Sequence, residues 1–250
     1  MDNEKNMNNP ERLCSENSRQ YVYRVLKDEI MSWKLTPGEV LNDLSISTRL
    51  GVSRTPVREA LFSLKEDHLV SIYSRNKTVV SLIDWRLITE GKFVRASLET
   101  LVASELCGKL TRETIGVLSE NLALQRNLVE GGCGMRTFYE LDNDFHRILY
   151  RTADKDETYR MVRRMCYQVD RVRCYMIPRA NLMQNMMESH KSILNCIINS
   201  EQEKLASILE KHINDIFDDD GQPAAFAVNL LKSHPEYFCN VPNEIKVSLA

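Results

Sequence analysis

The sequence contains no apolar run approaching the ~20 residues that a membrane-spanning helix requires, and none is expected to cross a bilayer. Its first eighteen residues are polar and of mixed charge, unlike a signal peptide. No Cys-x-x-Cys pair occurs among the seven scattered cysteines, an odd number that fits reduced thiols in a cytoplasm rather than a disulfide framework. Strong charge of one sign is missing as well, the formal net charge being −2. No nucleophile motif and no dedicated general base stand out, which weighs against hydrolytic chemistry.

What is present is 250 residues, 43% of them hydrophobic, enough for a sizeable core in one large or two modest domains. The charge is unevenly placed. Residues 19–83 carry ten Lys and Arg against seven Asp and Glu, whereas 84–250 carry 21 against 24. Any nucleic-acid contact therefore belongs to the N-terminal third.

In that third, Val22, Val25, Leu26, Ile30 and Met31 follow a helical spacing. Thr36-Pro37-Gly38 is a turn, and Leu44 to Leu50 is a short second helix. Gly51 suits the tight turn after it. Ser53 is placed to cap a third helix over Arg54 to Glu66, with Pro56 tolerated in its first turn. Arg54 and Arg58, four residues apart, project from one face near its N-terminal end, as in a recognition helix that reads base edges in a major groove. The other face carries Val57, Ala60, Leu61 and Leu64. Two β-rich runs, 69–73 and 78–82, flank Ser74-Arg75-Asn76-Lys77 and predict a hairpin wing.

Thr36-Pro37-Gly38-Glu39-Val40-Leu41, followed by Leu50-Gly51-Val52-Ser53-Arg54-Thr55-Pro56-Val57-Arg58-Glu59-Ala60-Leu61, resembles the N-terminal signature of the GntR family of bacterial transcription regulators. The resemblance implies a winged helix-turn-helix in which Ser53, Arg54, Thr55 and Arg58 meet DNA; Arg49 and Lys65 read as phosphate contacts or as plain surface. The family has glycine near the wing tip where Lys77 stands here. Asn76 is best able to adopt positive φ in its place, and Arg75 and Lys77 supply cations for phosphates or a narrow minor groove.

From Trp85 onward no strand is expected. Helices are expected over 88–106, 112–128, 136–151, 157–176, 181–199 and 202–217, with breaks at Gly108, residues 131–134, residues 153–155, Pro178 and Ser200. A further short helix is expected over Ala224–Lys232, with irregular chain beyond. The fold class is thus mostly α: a mobile arm (1–18), a winged helix-turn-helix (19–83), an all-helical bundle (84–220) and a C-terminal extension (221–250). Arg95-Ala96-Ser97-Leu98-Glu99 and Asp142-Asn143-Asp144-Phe145-His146 resemble motifs of the FCD ligand-binding domain found in the FadR-type branch of the same family.

Asp142 and His146 share a helix face and can converge on one ion. His190 sits amid Met186, Met187, Ile193, Leu194 and Ile197, and His212 amid Leu205, Ile208, Leu209 and Ile216. Both point inward, where an imidazole needs partners. A lone histidine of this kind is ordinarily a core residue bonded to a carbonyl. One carboxylate and three imidazoles from three helices instead suit a divalent transition metal: Zn, Ni, Mn or Fe. The metal-binding FCD members have ligands in this pattern, which implies Asp142, His146, His190 and His212 here. An open coordination position would take a small carboxylate, an organic or sugar acid, its charge met by an arginine. The family motif nominates Arg95, with Arg147, Arg164 and Arg171 as weaker candidates.

These features predict a homodimeric regulator, a repressor in the leading reading, that binds a palindromic double-stranded operator under control of that effector. A metal sensor and a metal-dependent hydrolase are the alternatives. An acyl-CoA-binding regulator suits a polar metal quartet less well.

Overall fold

The computed structural model describes residues 10–74, 77–131, 135–176, 180–214, 225–243 and 245. They form two compact units, one up to Leu82 and one from Ile83 on.

The first unit contains α1 (Ser18–Met31), β1 (Val40–Leu41), α2 (Asp43–Leu50), α3 (Arg54–Glu66), β2 (Val70–Tyr73) and β3 (Lys77–Val80). Asn17 and Gln20 close a reciprocal capping box at the start of α1. Its apolar stripe, Val22, Val25, Leu26 and Ile30, is fully buried, as is the stripe Val57, Ala60, Leu61 and Leu64 of α3, on which α1 packs. Each such Val, Leu or Ile side chain stabilises the fold by about 1.5–3 kcal/mol relative to exposure. Asn42 caps α2 by accepting from the amides of Leu44 and Ser45. Gly51 ends that helix at φ +66°, a left-handed conformation that strains any residue with a Cβ.

β2 and β3 form the antiparallel hairpin, Val70 opposite Val80 and Tyr73 opposite Lys77. β1 joins the far side of β3, giving a three-stranded sheet where two strands were expected. Two residues are too few to show an alternating pattern. Residues 10–17, expected as part of a mobile arm, are instead tied to α1: Arg24 holds Glu16 and donates to the Glu11 carbonyl, and the Tyr21 hydroxyl donates to the Pro10 carbonyl. The earlier part of that arm, the wing-tip residues Arg75 and Asn76, and the expected break at Pro178 lie outside the described residues.

The second unit contains β4 (Ile83–Asp84), α4 (Trp85–Glu105), α5 (Arg112–Gly131), α6 (Met135–Thr152), α7 (Asp156–Met165), α8 (Tyr167–Met176), α9 (Ala180–Asn199), α10 (Gln202–Ile213), α11 (Ala225–Ser233), a 3-10 turn at Pro235–Tyr237 and β5 (Phe238–Cys239). α10 packs on α4 and α9, α5 on α6 and α9, and α4 also on α7 and α8. Leu118, Phe145, Ile193, Ile197, Leu205 and Leu209 form the main apolar core. Met183, Met186 and Met187 close around Phe138, so this methionine stripe is packing. No described helix is long and apolar enough to cross a membrane.

Two expectations need correction. The single helix over 157–176 is two, broken at Cys166. No proline or glycine marks the break. It lies where the Met165 carbonyl comes so close to Gly91 of α4 that a Cβ there would stand 2.6 Å from the oxygen. The last long helix runs to Ile213 with Asn214 at its C-cap, and its expected continuation to Phe217 lies outside the described residues. The chain beyond α11 is not wholly irregular, because β5 pairs in parallel with β4, Ile83 opposite Phe238. A pairing so distant in sequence leaves no local signature.

Candidate functional site

Arg54 and Arg58 lie on the exposed face of α3, and Ser53 and Thr55 are exposed beside them. Ser53 occupies the extended N-cap position, but its side chain makes no capping hydrogen bond, contrary to expectation. Both arginines converge on one carboxylate. Arg54 Nη2 donates to Asp43 Oδ1 and Oδ2 at 3.0 and 2.9 Å, and Arg58 Nε donates to Oδ2 at 2.8 Å. These bonds hold the Asp43 carboxyl below its ordinary range, Arg58 contributing most. Arg49 does not face outward with them. Its side chain is 29% exposed and grips Glu29 of α1 through both Nη atoms, a tie between α1 and α2 rather than a ready phosphate contact. Lys77 opens β3 and is exposed.

In the helical unit, α6 supplies Asp142 and His146, α9 supplies His190 and the last turn of α10 supplies His212. All four are buried, and their ligand atoms lie within 4.8 Å of one another. The nitrogens His146 Nε2 and His212 Nε2 are 3.1 Å apart, and His190 Nε2 is 3.3 Å from Asp142 Oδ1. Phe145 stacks on the His190 ring at a 4.4 Å centroid distance.

The tautomer of His190 follows from a chain of hydrogen bonds anchored in the backbone. The Leu141 carbonyl can only accept, so Asn121 presents its Nδ2 there at 3.0 Å. Asn121 Oδ1 then accepts from Gln125 Nε2 at 2.7 Å, which turns Gln125 Oε1 toward His190 Nδ1 at 2.8 Å. His190 Nδ1 must carry the proton. Its Nε2 is left as a buried lone pair without a hydrogen-bond partner among the described residues, facing a carboxylate oxygen. Two acceptors held that close are stable only around a cation or a proton. Burial pushes His190 down to about 4, outweighing the pull of Asp142. Burial also drives His212 well below its ordinary value, with His190 and His146 adding to the effect. At neutral pH both offer neutral imidazoles, the form a metal takes. Burial would raise the Asp142 carboxyl, but Arg173, His190 and His146 together outweigh it and hold the group ionised. The donor set therefore fits a divalent transition metal.

A second ring of charge surrounds the four. Arg95 Nε donates to Glu99 Oε1 at 2.7 Å, and Arg95 Nη2 donates to His146 Nε2 at 2.8 Å. Glu99 Oε2 stands 2.9 Å from His146 Nδ1. Burial would raise Glu99, but Arg95 and His146 bring it down to about 2. Arg173 Nη2 and Nη1 reach Asp142 Oδ1 and Oδ2 at 3.1 and 3.3 Å.

Arg95 is thus beside the quartet, as the motif implied, whereas the weaker arginine candidates are not. Arg147 is half exposed, pairs with Asp144 and lines a surface groove with Val117, Leu124 and Ile148. Arg164 is exposed. Arg171 is buried but turned toward Cys239 and Gln168, and burial lowers it to about 10. Arg173 occupies the place sought for Arg171. The break at Cys166 and a three-residue step from Asp170 put it on the inward face of α8. Glu99, Gln125 and Asn121 were missed as well. The helical spacing of Asn121 and Gln125 beside Leu118 and Leu122 was the signal that could have found them. Burial raises the Cys166 and Cys174 thiols to about 12, so neither is a reactive thiolate.

Residues 18–80 match the model for bacterial regulatory proteins of the gntR family, and residues 93–215 match the FCD domain. The HTH-type transcriptional repressor RspR of Escherichia coli is 28% identical over 197 residues, 79% of this chain and 86% of its own. Among solved structures, E. coli McbR/YncC superposes with a TM-score of 0.68 at 20% identity, covering 80% of this chain and 95% of that one. A putative GntR regulator from Rhodococcus sp. RHA1 gives 0.63 at 21%, covering 79% and 94%. These two show a shared fold. With a GntR winged helix followed by an FCD domain, the chain belongs to the GntR family of bacterial transcription regulators and is not an enzyme.

Proposed function

We propose that this regulator is a metal-dependent, effector-controlled DNA-binding repressor. Asp142, His146, His190 and His212 would hold one divalent transition metal, supplying a Lewis-acid position for a small carboxylate. The observation that carries the reading is the buried convergence of four ligand atoms around a His190 nitrogen whose lone pair is fixed and unpartnered. The surrounding charges support an anionic effector. Arg95 is paired with Glu99, and Arg173 with Asp142. A divalent cation adds charge that no further carboxylate of the quartet balances, and an organic or sugar acid would restore neutrality. Arg95 is the arginine placed to meet it. An effector without that charge gains nothing from the site, and it shifts DNA affinity only by its differential affinity for the two states of the protein.

DNA reading falls to Arg54 and Arg58, with Ser53 and Thr55 beside them and Lys77 of the wing as a phosphate contact. Arg49 leaves that set because its guanidinium holds Glu29. One recognition helix contacts few bases, which supports a homodimer on a palindromic operator. Repression follows the sign of RspR.

A thermal-shift screen of organic and sugar acids on metal-loaded protein tests this, since a ligand that binds only the native state raises its melting point. A hit should disappear after chelation and in Arg95→Met. Hits indifferent to both would contradict the reading.

A further inference from the structure

Asp43 is the first residue of α2, and its carboxylate bridges the two arginines of α3. The way each guanidinium is engaged differs. Arg54 presents its Nε/Nη2 edge to both carboxylate oxygens, with Nε at 3.3 Å and Nη2 at 2.9 and 3.0 Å. Arg58 uses Nε alone. Its Nη1 and Nη2 have no hydrogen bond among the described residues, and its side chain is 58% exposed. The pair of terminal amines is one of the two forks with which arginine takes guanine O6 and N7. Pinning Nε fixes the plane in which that fork lies.

An anion on the DNA-facing side also opposes generic docking. Phosphate contacts supply affinity without sequence information, and a carboxylate held between two arginines cancels part of the cationic field they offer to any backbone. What remains is oriented donor geometry, which pays off only where a base edge matches it. Immobilising a free arginine costs roughly two- to tenfold in affinity, and here the protein has already done so in part.

We propose that Asp43 is a specificity-determining positioning residue, which holds Arg54 and Arg58 side by side and turns the Nη1/Nη2 end of Arg58 toward a guanine. The inference rests on the reading that these arginines contact bases. Asp43 stays ionised at neutral pH, because both guanidinium groups lower its carboxyl.

The test uses the full chain. Wild type, Asp43→Ala, Asp43→Asn, Asp43→Glu and Arg58→Ala are each taken through selection from a random-sequence duplex library. Affinities for the wild-type-selected duplex and a scrambled duplex of equal length are then compared between 50 and 200 mM salt. The expected result is that Asp43→Ala and Asp43→Asn bind the scrambled duplex more tightly, with a salt slope steeper by about 0.9. Their preference for the selected duplex should fall about tenfold, the worth of part of one bidentate pair. Asp43→Glu should restore much of the preference. Because Asp43 also lies at a helix N-terminus, melting curves accompany the assay; a folding defect would lower both affinities together and leave their ratio intact. An unchanged ratio in Asp43→Ala and Asp43→Asn overturns the proposal. An unchanged ratio in Arg58→Ala overturns the base-reading assignment beneath it, a separate and distinguishable failure.

Discussion

Replacing Gln125 with methionine removes the acceptor that fixes the His190 tautomer while keeping nearly the same volume. Gln125 is fully buried, and its amide links Asn121 Oδ1 at 2.7 Å to His190 Nδ1 at 2.8 Å. The variant leaves the Nδ1–H and the Asn121 oxygen without those partners. An unsatisfied buried polar group costs about 1–3 kcal/mol. Taking a net loss of ~2 kcal/mol, at ~2–4 °C per kcal/mol for a unit of this size, the metal-free protein should melt about 4–8 °C lower. Metal affinity should fall further, because His190 becomes free to rotate or to carry its proton on Nε2. Loss of such an outer partner typically weakens metal binding about 10–100-fold. Competition of zinc or nickel against a chelator of known affinity, for wild type and Gln125→Met, measures this directly. Gln125→Glu keeps an acceptor for His190 Nδ1 but sets a carboxylate oxygen against Asn121 Oδ1, so it should melt lower than wild type yet hold the metal more tightly than Gln125→Met. A Gln125→Met protein that holds the metal within about twofold of wild type would refute the argument that the Leu141–Asn121–Gln125 chain aims His190.

Other expectations follow from the same geometry. Arg58→Ala should weaken binding to the selected operator by about 1–3 kcal/mol, the loss concentrated at one base position per half-site; an equal loss on all sequences would make Arg58 a phosphate contact. Arg49→Ala should leave the salt slope of DNA binding unchanged while destabilising the winged helix by ~1–3 kcal/mol, because Glu29, 7% exposed, loses its bidentate partner; a flatter slope with intact stability would return Arg49 to the phosphate contacts. The Glu99 carboxyl is lowered from an ordinary 4.5 to about 2, so the stability it contributes is full above pH 4.5 and is lost as pH falls toward 2. Melting scans over that range should show the helical unit losing stability more steeply in wild type than in Glu99→Gln.

The recognition helix was legible because its chemistry is local: a turn glycine, a cap position, and two arginines one helical turn apart. The four prospective ligands were legible because histidines in the middle of apolar stripes must point inward, whatever the tertiary arrangement. The arginine opposite Asp142 was not. Arg171 and Arg173 both lie on a helix whose phase is reset at Cys166, and the reset comes from the close approach of Met165 to Gly91, which no pattern within either helix records. Asn121 and Gln125 share the helical stripe of Leu118 and Leu122, which marks them as inward, but what they bond to depends on the opposing helix. β5 was invisible because its partner, Ile83–Asp84, lies at the other end of the unit. Asp43 carries no signal in the sequence, because only the turn at Gly51 brings it under both recognition arginines.

Elemental analysis of the full chain purified without chelators, beside His190→Ala handled identically, decides whether the quartet is a metal site. About one divalent transition metal per wild-type chain is expected. In His190→Ala the metal content and the melting temperature should fall together. Wild-type protein free of metal after incubation with zinc, nickel, manganese and iron, together with a His190→Ala protein that melts as high as wild type, would contradict it and leave the four residues as ordinary buried polar groups.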